Sequence, residues 1–146
     1  MSIFERLRAD HDKQRAIISD IIDTQGDSQK RSKLFFELKH QLEHHALAEE
    51  RHFYVPLMQH DMTQEKSRHS IAEHHQLDKL IEELEKTEYS SPGWLVTAKK
   101  LSDKLLHHLE EEEREIFQLA GRVLSDKEKS QLGEDYINEM DMLKAA

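Results

Sequence analysis

The chain contains no cysteine. Disulfides, thiolate metal ligands and thiol chemistry are therefore excluded. It has no apolar run of about 18 residues, so nothing in the sequence is expected to cross a membrane. Its opening, Met-Ser-Ile-Phe-Glu-Arg-Leu-Arg-Ala-Asp, lacks the apolar core of a secretory signal, which leads us to expect a cytoplasmic protein. Basic residues are in the minority, 21 Lys and Arg against 30 Asp and Glu, for a net charge of −9. That balance argues against nucleic acid or an anionic membrane as a partner. Strand-like alternation, low-complexity tracts and linkers long enough to divide domains are also missing.

Against these absences stand eleven histidines in 146 residues. Most belong to a solvated surface; the informative ones lie on apolar stripes. The frame Leu-x-His-His-x-x-x-Glu-Glu-Arg occurs at residues 42–51 and again at 105–114, an offset of 63. The same offset maps His11 onto His74, each preceded by an acid (Asp10, Glu73), and Ile18, Thr24, Ser28 and Leu38 onto their equivalents without a gap. Eleven positions of 10–54 are identical to their partners in 73–117. This is a duplicated helix pair rather than a short-period solenoid.

Period decides which histidines face inward. Leu38, Leu42, His45, Glu49 and Phe53 form one helical stripe, and Leu101, Leu105, His108, Glu112 and Ile116 repeat its steps. His44 and His107 lie about 100° away around the helix and go to the flank. On a helix, residues four apart share a face, so each stripe carries a His with a Glu one turn on.

The spacing predicts an all-α fold, an up-down-up-down four-helix bundle with an extra C-terminal helix. We expect helices from about Ser2 to Thr24 (ended by Gly26), from Ser32 to Tyr54 or beyond (kinked or ended by Pro56), after Thr63, and from Ser91-Pro92 to about Ala120 (ended by Gly121). The fifth, from about Asp126 to Leu143 and weakened by Gly133, has no counterpart in the repeat. The division expected is 1–122 for the bundle and 123–146 for the added helix. That helix either packs on the bundle or makes an oligomer contact, such as a homodimer.

Counting from the turns, His11 and His45 each lie 13 residues, or about 20 Å, above the same connection. His74 and His108 lie 13 and 16 residues above theirs. Six groups thus reach one layer: His11, His45, Glu49, His74, His108 and Glu112. Burying two carboxylates with four imidazoles is strongly unfavourable without a counter-charge. Two metal ions resolve this, with Glu49 and Glu112 bridging and two His capping each ion. A purely structural polar layer and a mononuclear site are the alternatives. The nitrogen and oxygen donor set suits iron or manganese, with zinc as a substitute. Leu7, Leu38, Leu42, Leu77, Leu101 and Leu105 are expected to wall the pocket.

At these residues the chain resembles the hemerythrin-like family, specifically the hemerythrin HHE cation-binding domain. The motifs are Asp10-His11, His45-x-x-x-Glu49-Glu50 followed by Phe53-Tyr54-Val55-Pro56, Glu73-His74, and His108-x-x-x-Glu112-Glu113 followed by Ile116-Phe117, covering about residues 3–120. The resemblance implies a four-helix bundle holding two iron ions with an oxo or hydroxo bridge. It also implies a small ligand such as O2, NO or peroxide. Family roles include oxygen binding, redox sensing, iron handling and iron-centre repair. The oxygen carriers have two His four apart on the third helix, whereas here Ser70 stands four before His74 and His69 is one residue off. The expected function is a di-iron protein binding or sensing a small diatomic or peroxide at open metal positions. A di-iron oxidoreductase (peroxidase or NO reductase-like) and an iron storage or structural bundle are the other readings.

Overall fold

The computed structural model describes residues 1–146 and contains five helices and no strand. Helix α1 (Ile3–Ile22) starts where Ser2 and Glu5 form a capping box, each side chain accepting from the other's backbone N–H. After α1 the chain turns through Gly26, whose φ of 55° is open to glycine at little cost. Helix α2 (29–57) is capped by Ser28, which accepts from the Arg31 N–H. Helix α3 is Asp61–Lys86. Helix α4 (92–123) begins with Ser91 as cap and Pro92 in its first turn, as the sequence predicts. Helix α5 (Asp126–Ala145) has its own capping box between Ser125 and Glu128.

Of the two expected stops, Pro56 lies one residue before the end of α2 at Leu57, while Gly121 stops nothing. Pro56 lies inside the end of α2, because residues 50–54 have already widened into one π turn in which the Val55 N–H reaches the Glu50 carbonyl. Helix α4 widens at the matching place, residues 112–116, with no proline nearby, so the proline is not the shared cause. What the two π turns share is a buried glutamate immediately before or at their start, Glu49 and Glu112. Gly121 is an ordinary helical position, and α4 runs past it to Val123.

Helices α1 to α4 form the bundle, with α1 against α2 and α4, and α3 against α4. Connections of two to six residues force consecutive helices to run antiparallel. The apolar interior divides in two. One cluster, including Ile18, Leu38, Ile81, Trp94 and Leu101, fills the end away from the N-terminus. The other, including Ile3, Leu7, Phe53, Leu57 and Phe117, fills the N-terminal end and takes in Tyr136 and Met140 of α5. Both are dense in side chains whose burial contributes roughly 1.5–3 kcal/mol each. Between them lies a layer of buried polar groups.

Helix α5 packs along α1 and α2. Gly133 explains how closely it can do so. A Cβ there would stand 2.7 Å from the Met1 carbonyl oxygen and 2.9 Å from the Ile3 nitrogen. The propensity that this glycine costs the helix is offset by a backbone-to-backbone approach no other residue permits.

Candidate metal centre

All six residues expected at one layer are there, each with 6% or less of its surface exposed. His44 is half-buried on the flank and His107 is exposed. Their donor atoms form two sets of four that share both carboxylates. The first is His11, His45, Glu49 and Glu112; the second is Glu49, His74, His108 and Glu112. Each glutamate divides its oxygens between the sets. Glu49 Oε2 is 3.5 Å from His45 Nε2 and Oε1 is 3.2 Å from His74 Nε2. Glu112 Oε1 is 3.1 Å from His11 Nε2 and Oε2 is 3.7 Å from His108 Nε2.

These spacings suit ions better than direct pairing. Donors about 2.1 Å from one ion lie roughly 3.0–3.5 Å from each other at octahedral or tetrahedral angles. Despite their proximity, His11 Nε2, both oxygens of Glu49 and Glu112 Oε1 make no hydrogen bond. A buried polar atom without a partner costs about 1–3 kcal/mol, and more when charged, so four in one layer call for a shared partner. Two cations, each facing two imidazoles and one oxygen of each carboxylate, fit the donors present.

Each imidazole turns its outer nitrogen toward an acid in the order of the repeat, and three of the four make a hydrogen bond there while His74 Nδ1 makes none. His11 Nδ1 donates to Glu113 Oε2 at 2.7 Å, and Glu113 is braced by Arg15 at 2.8 Å. The equivalent pair is His74 and Glu50, 3.7 Å apart. His108 Nδ1 donates to Glu73 Oε1 at 2.7 Å. Its equivalent is His45 with Asp10, but aspartate is one carbon shorter and its oxygen stops 3.6 Å away. Tyr136 of α5 fills that gap: His45 Nδ1 donates to the phenol oxygen at 2.6 Å, and the phenol donates to Asp10. A proton fixed on Nδ1 leaves the Nε2 lone pair free for a cation.

Electrostatics follow from this density of acid. Burial opposes charge on His45, yet Glu49, Asp10 and Glu112 outweigh it and push its pKa up to about 10. His74 is pushed up to about 9 by Glu49 and Glu50 against the same opposition. Burial also opposes ionisation of Glu113, but His11 and Arg15 hold its pKa down at about 2. The two shared carboxylates move apart: burial and the charge of Glu49 raise Glu112, while His45 and His74 overcome burial to keep Glu49 well below its usual range.

The vacant-looking position four before His74 is occupied. Ser70 is buried, and the Tyr54 phenol lies against it while donating to Glu112 from the His108 side. His69 turns outward, its ring 3.5 Å from Glu73 and more than half exposed. Neither Tyr54 nor Tyr136 was identified from sequence. Tyr54 falls in a motif without an assigned partner, and Tyr136 reads as one more apolar-face residue on α5. Of the expected wall, Leu42, Leu77 and Leu105 line a small cavity beside the cluster, while Leu7, Leu38 and Leu101 belong to the apolar cores.

Residues 2–120 match the family described as Hemerythrin HHE cation binding domain. Among solved structures, the chain is similar to a hemerythrin HHE cation binding domain-containing protein from Mycobacterium kansasii, with 25% sequence identity and a TM-score of 0.90. The similarity covers 99% of this chain and 88% of that one. No curated protein matches.

Proposed function

The chain belongs to the hemerythrin HHE cation binding domain family, and from that membership we propose that it is a non-haem di-iron protein that binds a small diatomic or peroxide. His11, His45, His74 and His108 are the terminal ligands, and Glu49 and Glu112 are the bridges. The observation that carries this reading is the pair of four-donor sets sharing both carboxylates, each carboxylate giving one oxygen to each set. Iron is favoured over softer-ligand metals because the donors are all imidazole nitrogen and carboxylate oxygen. When bound, such a pair of ions supplies open coordination positions and up to two electrons to a small ligand.

The chain's own contribution is placement and insulation. Nδ1–H donation to Glu113, Tyr136 and Glu73 fixes three rings so that their Nε2 atoms face the centre. The two apolar clusters above and below keep the layer away from bulk solvent at both ends, which strengthens the charge interactions within it. Leu42, Leu77 and Leu105 shape a cavity of about 20 Å³ beside His45, His74 and His108, enough for roughly one water-sized group.

Protein produced with iron present should hold two ions per chain and show a visible charge-transfer band that responds to dioxygen or nitric oxide. One ion or none per chain would refute the dinuclear reading.

A further inference from the structure

We propose that the side-chain amide of Gln14 is the hydrogen-bond donor that holds a small anion in the cavity beside the cluster, so that this residue sets ligand preference. The inference rests on the metal reading above and adds the residue that acts on the ligand's free end. Gln14 is 1% exposed and lines the cavity together with Leu42, Leu77, Leu105 and three of the four cluster histidines. Its Nε2 has no hydrogen-bond partner. A buried amide left in that state costs about 1–3 kcal/mol, and nothing in the packing of α1 requires an amide there. The neighbouring inward positions, Leu7, Ile18 and Ile21, are apolar, and His11 is a cluster member.

The repeat makes the substitution plain. Gln14 lies 63 residues before Leu77, which lines the same cavity. One half of the molecule gives this space an aliphatic wall, and the other gives it a side-chain amide. The lining has one other unpartnered nitrogen, His74 Nδ1, and it faces Glu50 at 3.7 Å. The cluster histidines turn Nδ1 outward and direct Nε2 at the shared carboxylates. Asp78, an exposed residue at the cavity rim, is an acceptor when ionised. A ligand whose free end accepts a hydrogen bond gains from Gln14; one that accepts weakly, such as carbon monoxide, does not.

Azide is the probe, added to the iron-loaded full chain as wild type, Gln14→Leu (the residue of the other half) and Gln14→Met (unbranched, of similar length, without a donor). Iron per chain is measured on each sample first. Both variants should keep wild-type iron and bind azide about tenfold more weakly, the loss of one hydrogen bond of about 1.4 kcal/mol. The asymmetric stretch of bound azide should shift in D2O for wild type and not for either variant. Equal azide affinity and an equal D2O shift in all three proteins, with iron at two per chain, would overturn the role of Gln14 and leave the metal reading standing. Loss of iron from both variants would make Gln14 structural and equally overturn it. Wild type without iron would instead overturn the metal reading beneath it.

Discussion

Removing one oxygen atom at Tyr136 tests the architecture of the centre most directly. In Tyr136→Phe the ring remains to fill its place in the N-terminal core, and only the hydroxyl between His45 and Asp10 is lost. Asp10 and His45 are then left 3.6 Å apart, too far for a hydrogen bond. Two buried polar groups lose their partner together. At about 1 kcal/mol each, near the low end of the range because the charges still attract, the cost is about 2 kcal/mol. In a chain of this size that lowers Tm by about 6 °C. The second consequence is local. An imidazole without its outer partner binds metal about 10–100-fold more weakly, and only the set containing His45 is affected, since Glu73 still holds His108. Graded chelation followed by metal analysis should remove one ion from the variant well before the second, whereas wild type releases them closer together. Calorimetry of metal-free protein reads the stability term separately. If the variant matches wild type in both Tm and metal release, Tyr136 does not hold His45, and α5 has no part in the centre.

Within each histidine pair, His45→Ala and His108→Ala should strip metal while His44→Ala and His107→Ala leave it in place; equal losses in either pair would mean the wrong helix face. Metal loading at pH 7 should release protons, because His45 and His74, with pKa values of about 10 and 9, must give theirs up to bind; titration in buffers of different ionisation enthalpy measures this. The same raised values mean that metal-free protein is stabilised by these two groups below the unfolded pKa near 6.5 and loses that stability as pH rises toward 9–10, so its Tm should fall over that range and rise again if metal is added. Ser70→His should not add a useful ligand, since Tyr54 already fills the space; it should cost about 1–3 kcal/mol by overpacking, part of which Tyr54→Ala in the same chain restores in a melting experiment.

How far the sequence reveals this molecule depends on whether a feature is periodic. The stripes through His45 and Glu49 and through His108 and Glu112 are visible because an apolar helix face tolerates a polar interruption only for a reason. The offset of 63 then doubles each observation. The outer acids could be read the same way, since Glu50 and Glu113 and Asp10 and Glu73 are also repeat partners. What stays hidden is whatever breaks the repeat. Tyr136 comes from a helix without a counterpart, and its role arises only because Asp10 is shorter than Glu73. Gln14 interrupts a stripe whose steps can be joined across it from His11 to Ile18, although its pairing with Leu77 is a signal the repeat contains. The π turns leave no trace in composition. Gly133 reads as a weak point until the backbone it touches is seen.

The two halves of the centre also differ in how far along the chain their parts must travel to meet. Glu73 and His108 are 35 residues apart and lie on consecutive helices. Tyr136 and Asp10 are 126 residues apart, and their meeting requires Gly133 to have seated α5 against the first residues of α1. Closing the longer span costs about 1 kcal/mol more in chain entropy. The outer support of His108 is the more local of the two. The outer support of His45 is thus the one that depends on the last helix, whereas that of His108 is complete without it.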